Sequence, residues 1–329
     1  MSSGQKNKKK ISQNETPHFP FEEPPFRLSM GLVKIPIEEW FEIFDLQEWE
    51  FQMEEKRRLL ANHYGDIFMA APSSLAASTE VLNLMLKHLP AIRPDLYSQN
   101  GDTIKLKPYS MFQEEVWFTN PKKNEMHPLD LAARLVQEDL IIMLPPDSKN
   151  DLTSTGWWLA AGSVAFPSRW CLKEKFGQPM DIIHAPVPFY KEQIQTTVNI
   201  FFDQMPCDEM YARRNWSLYD NSSLRHDGTG RSSKIDSKTI TSSNAGERLW
   251  LRVERQTLRK LKETGAILFT IRIHLRRLKH VVNFDGIASR LSKALLALPP
   301  EMQAYKQTDV FADSAQAYLN KFKIPEETS

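Results

Sequence analysis

The residues best suited to chemistry crowd into one stretch of the chain. Phe166-Pro167-Ser168-Arg169-Trp170, Lys173-Glu174-Lys175-Phe176-Gly177 and Ile182-Ile183-His184-Ala185-Pro186-Val187-Pro188 place Trp, Arg, Lys and His in one proline-bounded connection. Such connections, set on a rigid scaffold, are where binding residues concentrate. His184 follows two isoleucines and precedes two prolines that fix the backbone beyond it. A neutral imidazole in an apolar pocket can bond a metal, haem iron included, through one ring nitrogen. A buried histidine that merely bonds a carbonyl has the same signature, and both readings stand at this point.

Two further clusters carry arginine. They are Arg213-Arg214-Asn215-Trp216 and the run Arg252-Val253-Glu254-Arg255-Gln256-Thr257-Leu258-Arg259. On a strand, Arg252, Glu254 and Gln256 point one way while Val253 and Arg255 point the other. Guanidinium groups grip planar carboxylates bidentately, although an exposed Arg/Glu ladder reads the same way. Gln137-Glu138-Asp139 adds carboxylates at a helix-to-strand junction.

Several classes lose ground. The other histidines form no H-x-x-x-H or H-E-x-x-H, against a zinc hydrolase. There is no G-x-S-x-G elbow, no G-x-G-x-x-G after a strand and no phosphate-binding P-loop. With 42 basic and 41 acidic residues in 329, the net charge of +1 argues against nucleic acid as a partner. Two cysteines, Cys171 and Cys207, preclude a disulfide framework or a four-cysteine cluster, and the chain reads as cytoplasmic. No apolar run is long enough for a membrane span, and none follows the basic start as a secretory signal requires.

The elements that must position these residues read as α+β. Residues 1–16 read as a disordered basic tail, and Pro17 to Pro36 as an extended arm packing Phe19, Phe21 and Phe26 on the body. Helices are expected over Glu38–Tyr64, Glu80–Leu89 (ended by Pro90), His127–Leu140, Tyr190–Gln204 and Phe284–Leu298. Leu140–Leu144 and Trp157–Phe166 read as a hairpin, and Trp216–Tyr219 and Leu249–Val253 as short strands. Alternation marks Ala266–His274 as a strand. Asn221–Glu247 reads as a mobile polar loop, Glu254–Glu263 as a charged stretch between strands, and 301–329 as a polar tail. This order suits an antiparallel sheet with flanking helices: one domain over 17–300, with a helical N-terminal part over 17–126.

In combination the clusters resemble one family. Gln137-Glu138-Asp139, Pro167-Ser168-x-Trp170, Lys175-x-Gly177 and Ile183-His184-x-Pro186-Val187-Pro188 occur in its order. Arg214-Asn215-Trp216, the block Arg252–Arg259 and Gly265–Arg272 continue it. This is similar to the haem-dependent oxidative N-demethylase α-subunit-like family, over roughly Pro20 to Leu298. Lys262 stands where that pattern has a proline and His274 where it has an aromatic.

The resemblance implies a PAS-like haem-binding domain and oxidative removal of a methyl group from a small amine such as dimethylamine. It implies haem b and O2, and electrons from NADPH through partner subunits carrying flavin and an iron–sulfur centre. His184 would be the iron ligand, with His274 a competing candidate. Arg214 and Arg255 would pair with the propionates, Trp170 or Trp216 would pack on the porphyrin, and Glu138 or Glu254 would orient the amine or relay protons. A haem-binding sensor without turnover and a cofactor-free interaction protein are the competing functions.

Overall fold

The computed structural model describes residues 19–107, 109–110, 113–120, 123, 125–146, 156–207, 209–228 and 239–322. The basic tail, the turn 147–155 and the middle of the polar loop lie outside them.

Among the described residues, ten strands form two antiparallel sheets. They are β1 (Val33–Ile35), β2 (Phe68–Ala70), β3 (Tyr97–Asn100), β4 (Thr103–Leu106), β5 (Glu115–Phe118), β6 (Asp139–Leu144), β7 (Trp158–Ser163), β8 (Met210–Tyr219), β9 (Trp250–Lys260) and β10 (Ile267–Arg277). The large sheet runs β1-β8-β9-β10-β6-β7-β2, and β3-β4-β5 form a small one. The fold is therefore mixed α+β, with a large antiparallel sheet and flanking helices, as the order of elements predicts. β6 and β7 form the expected hairpin.

Period-two alternation gives the large sheet two faces. One carries Leu258, Ile267, Ile271, Ile273, Ile141 and Met143, packed on Met180, Ile183, Tyr190 and Val198 from the connection after β7 and the helix Gln195–Gln204. The other carries Leu140, Ile142 and Leu268 under the helices Leu46–Asn62 and Leu75–Ile92. Further along that second face, Leu251, Val253 and Leu218 meet the C-terminal helices.

Several boundaries depart from expectation for physical reasons. The first long helix begins at Leu46 because the Asp45 carboxylate caps it, accepting from Gln47 N at 2.8 Å and Glu48 N at 3.1 Å. Trp40 and Phe41 lie before that cap, in the core. Pro90 does not end its helix, which continues to Ile92. The helix at Pro128 stops at Arg134, so Gln137 and Glu138 lie between it and β6. β8 starts six residues before Trp216, and Glu254 to Lys260 belong to one strand rather than to a charged connection.

The expected polar loop and C-terminal tail both contribute to the packed body where described. Leu224, His226 and Ile240 are buried, and Ala245–Arg248 is helical. Residues 300–322 are no tail: Pro300–Lys306 and Ala312–Leu319 are helices that bury Met302, Phe311, Ala315 and Leu319. The N-terminal arm packs as expected, Phe19 stacking on Phe21 and meeting Phe284 edge-on, with Phe26 partly buried on the same cluster. Among the described residues no helix is long and apolar enough to cross a membrane.

The C-terminal helices dock so closely that a methyl group does not fit beneath them. A Cβ on Gly246 would lie 2.2 Å from the Tyr318 hydroxyl and 2.4 Å from its ring. Gly246→Ala is expected to cost about 1–3 kcal/mol, the usual range for overpacking. In Gly246→Ala/Tyr318→Ala the combined cost should fall below the sum of the single costs, as thermal unfolding of the four proteins would show.

Candidate functional site

The chain between β7 and the helix Gln195–Gln204 is pinned before it reaches His184. Leu159 N donates to Gln178 O at 3.1 Å, and Gly177 N and Met180 N donate to Leu159 O and Trp157 O at 2.9 and 2.8 Å. These bonds dock the turn on the start of β7 and launch the short helix Met180–His184. One turn later, His184 Nδ1 lies 3.0 Å from the Met180 carbonyl. A carbonyl only accepts, so the proton sits on Nδ1 and the Nε2 lone pair is left exposed to a ligand. Nε2 has no hydrogen-bonding partner among the described residues.

Tyr190 fixes the plane of that ring. Its phenol stacks on the imidazole with centroids 4.6 Å apart and planes 11° from parallel. Phe189 supplies the chain direction through a left-handed conformation (φ 65°), and Tyr190–Ile194 form a π-helical turn before the regular helix. Both features are sparsely populated and recur at functional sites. Burial holds the His184 pKa down to about 4, with the charges of Lys175 and Arg213 acting in the same direction. The imidazole is neutral at neutral pH.

Beside His184 lies a wall of cations. Lys175 donates to Ile183 O at 3.1 Å and sits 4.8 Å from the centre of the Trp170 ring. On the same face of β8 and β9, Arg213 stands opposite Gln256, next to Glu254. Arg252 holds Glu254 at 3.4 Å and spends its remaining donors on Leu224 O and Phe166 O at 2.9 and 2.6 Å. Gln256 donates to the other Glu254 oxygen at 3.1 Å. Past that carboxylate, the Arg169 guanidinium lies 4.1 Å over the Tyr219 ring, and Lys306 reaches Asn215 Oδ1 at 3.2 Å and Trp216 O at 2.6 Å.

Electrostatics shows how tightly these groups share space. Burial lowers the pKa of Lys175, Arg213 and Arg169, and brings Lys306 down to about 8; the Glu254 charge opposes this in all four. Two guanidinium nitrogens, Arg169 Nη2 and Arg213 Nε, are buried without a hydrogen-bond partner among the described residues. Leaving such a donor unpaired costs about 1–3 kcal/mol or more. The arrangement suits an anionic group that arrives from outside, beside a histidine with one nitrogen to offer. Among the described residues no three His, Cys, Asp or Glu side chains converge as a metal site. A metal at His184 would draw its other ligands from a cofactor.

The sequence profile described as haem-dependent oxidative N-demethylase, alpha subunit-like, matches residues 31–316. The chain belongs to that family. The family's description supplies a flat, metal-bearing dicarboxylate as cofactor, and the chemistry of this face fits it: one neutral nitrogen, an aromatic at Trp170 and unpaired cationic donors.

Within this N-demethylase-family chain, the residues singled out in the sequence fall on both faces of the sheet. His184, Trp170 and Glu254 share the face just described. Arg214 and Arg255 do not, because they alternate with Arg213 and Glu254. The Arg255 Nε lies 2.8 Å and Arg214 Nη2 3.1 Å from Glu42, and Arg255 also donates to Trp40 O at 3.1 Å and to Glu39 O. His274 Nε2 meets the second Glu42 oxygen at 3.0 Å, on the sheet face away from His184. Trp216 packs edge-on against Phe21 at 5.2 Å. Glu138 is buried beyond them, close enough to Arg272 and Lys56 to feel their charges, and burial raises its pKa.

Asp139, by contrast, serves the His184 side indirectly. Its carboxylate accepts from Ala165 N and Phe166 N at 2.8 and 2.9 Å, turning the chain toward Ser168 and Arg169. Tyr190 and Lys306 carried no motif, and choosing Arg213 over Arg214 requires the register of β8.

Glu42 closes the other face. Burial alone would raise its pKa, but the bond from His274 and the charges of Arg255 and Arg214 outweigh it and hold it at about 2. A carboxylate lowered from 4.5 stabilises the fold fully above about pH 4.5, and that stability is lost as pH falls toward 2. Glu42→Gln should therefore destabilise the protein by about 3 kcal/mol near neutral pH, as loss of a buried ion-pair partner does. The gap between the two proteins should narrow between about pH 4.5 and 2. Chemical denaturation across that range would check both.

Proposed function

We propose that this chain is the haem-carrying oxygenase subunit of an oxidative N-demethylase that acts on a small alkylamine of the dimethylamine type. His184 Nε2 holds the iron of haem b, and the Trp170 side of the pocket flanks the porphyrin. The bound haem supplies the iron at which O2 is activated. Electrons come from NADPH through partner subunits that carry flavin and an iron–sulfur centre. The chain has Cys171 and Cys207 as free thiols, in keeping with a cytoplasmic setting. The antiparallel sheet with its covering connection after β7 is the frame a PAS-like haem domain needs.

The observation that carries this reading is the state of His184. Its tautomer is set by the Met180 carbonyl, its plane by Tyr190 and its charge by burial. Such preparation of one nitrogen is what an axial ligand requires. Of the two carboxylates raised by the sequence, Glu254 is the one on this face. Held by Arg252 and Gln256, it is placed to accept a hydrogen bond from a substrate ammonium or to hold a proton near the reacting atoms. Glu138, across the sheet, has no such access.

Protein produced with haem precursor, or apo-protein titrated with haemin, should show a Soret band at near-stoichiometric occupancy. His184→Ala should lose or shift that band, and added imidazole should restore it. An unchanged spectrum in His184→Ala would remove His184 as the ligand. A haem protein that consumes no NADPH in response to amine, with its reductase present, would instead be a sensor. A protein that never takes up haemin would be an interaction protein.

A further inference from the structure

We propose that Arg169 and Arg213 form the clamp for the carboxylates of the prosthetic group, with Arg169 held in place by the segment Arg225–Gly228. The inference rests on the haem reading and assigns the contact to residues other than Arg214 and Arg255. Three independent features of the structure converge on it.

The first is the pair of orphaned donors. Arg169 Nη2 and Arg213 Nε are both buried without a hydrogen-bond partner among the described residues. On the opposite face of β8 and β9, Arg214 and Arg255 both have the Glu42 carboxylate within ion-pair distance, although Arg255 Nε makes no hydrogen bond; no such ion pair is formed by Arg169 or Arg213 among the described residues. On this face Glu254 is already engaged by Arg252 and Gln256. Buried cations in excess of their carboxylates are what a ligand dianion would complete.

The second is backbone strain. Arg169 has φ 61°, a left-handed conformation that a residue with a Cβ rarely adopts. Strain of this kind persists only where the surroundings over-determine it. Here they do. Arg169 N donates to His226 O at 2.6 Å and His226 N donates to Pro167 O at 2.9 Å, a two-bond bridge across the turn. The His226 ring packs on Tyr219, whose face carries the Arg169 guanidinium and whose hydroxyl bonds Ser168.

The third is close approach. Gly228, itself at φ 70°, lies so near that a Cβ would come within 3.2 Å of the Arg169 carbonyl carbon and oxygen. The turn is built to present one guanidinium from a fixed backbone. Arg213, fixed in the middle of β8, approaches the same space, and both oppose the charge of Lys306.

The test compares haemin with haemin dimethyl ester, in which both carboxylates are masked, by absorption titration of the apo-protein. Haemin is expected to bind the unsubstituted protein at least tenfold more tightly than the ester, since the ester cannot accept charge-assisted bonds from the two guanidinium groups. Arg169→Met and Arg213→Met should each weaken haemin by about tenfold and leave the ester unaffected. Gly228→Ala, which keeps every charge, should weaken haemin alone by displacing Arg169. The thermal midpoint of ligand-free Arg169→Met should equal or exceed that of the unsubstituted protein, because an unpaired buried charge has been removed. A structural arginine would lower it.

Equal affinity for haemin and its ester, with a Soret band in both titrations, would overturn the clamp and leave His184 ligation standing. No Soret band with either compound would overturn the haem reading, and the clamp with it.

Discussion

Strand β9 must bury charge, and the rest of the molecule is arranged around that necessity. Arg252 and Arg255 are each 1% exposed, and Glu254 between them is 8% exposed. A guanidinium taken out of water is tolerated only when its N–H groups find acceptors. Because successive side chains leave a strand on opposite faces, the sheet has to meet this demand twice, once on each side. It does so unequally, and the inequality separates scaffold from site.

On the face toward the N-terminal helices, most of the demand is met from within, although Arg255 Nε and Arg272 Nε make no hydrogen bond among the described residues. Glu42 pairs with Arg214, Arg255 and His274 together, while the carbonyls of Glu39 and Trp40 accept from the two terminal Arg255 nitrogens. Nearby, Lys56 donates to the carbonyls of Ala133, Val136 and Glu138, at 3.3, 2.9 and 2.6 Å, just where the helix from Pro128 has ended. Burial brings the Lys56 pKa down to about 8, and the Asp139 and Glu138 charges oppose a larger fall. These contacts tie the segment before Asp45, the helix Leu46–Asn62 and the loop before β6 to one sheet face. On the opposite face Arg252 is satisfied but Arg169 and Arg213 are not, and His184 keeps a free lone pair beside them.

How much of this the sequence disclosed follows from the kind of pattern each element leaves. β10 alternates Ile267, Phe269, Ile271 and Ile273 with Leu268, Thr270 and Arg272, and the hairpin of β6 and β7 is a pair of apolar runs around a polar turn, so both are legible. β9 was not legible as a whole, because Arg252, Glu254 and Arg255 look like a solvated run unless their buried partners are known. The helix ends depend on local chemistry: helical composition from Glu38 onward hides the Asp45 cap, and Pro90 suggests a stop although it removes only one backbone donor. The helices of 300–322 were missed because their few buried residues, Met302, Phe311, Ala315 and Leu319, are diluted among polar ones. His184 stood out for its flanking prolines and isoleucines. Arg214 and Arg255 stood out too, but their phase relative to Glu254 is a matter of register that the sequence does not carry.

The neutrality of His184 and the unpaired state of the arginines are two consequences of one environment. Low effective dielectric penalises every cation there, so the imidazole gives up its proton and Lys306 loses its charge at lower pH than an ordinary lysine, while arginine, whose pKa is too high to yield, stays charged. A pocket in this state repels a proton from Nε2 and attracts negative charge to the guanidinium groups. A ligand that brings a metal to the first and carboxylates to the second relieves both penalties in one event. Entry of the anion alone would raise the basicity of His184 and invite a proton onto the nitrogen the metal needs. His184 and the two guanidinium groups therefore suit one ligand that brings a metal and carboxylates together, and the left-handed backbones at Arg169 and Phe189 set where those side chains are offered.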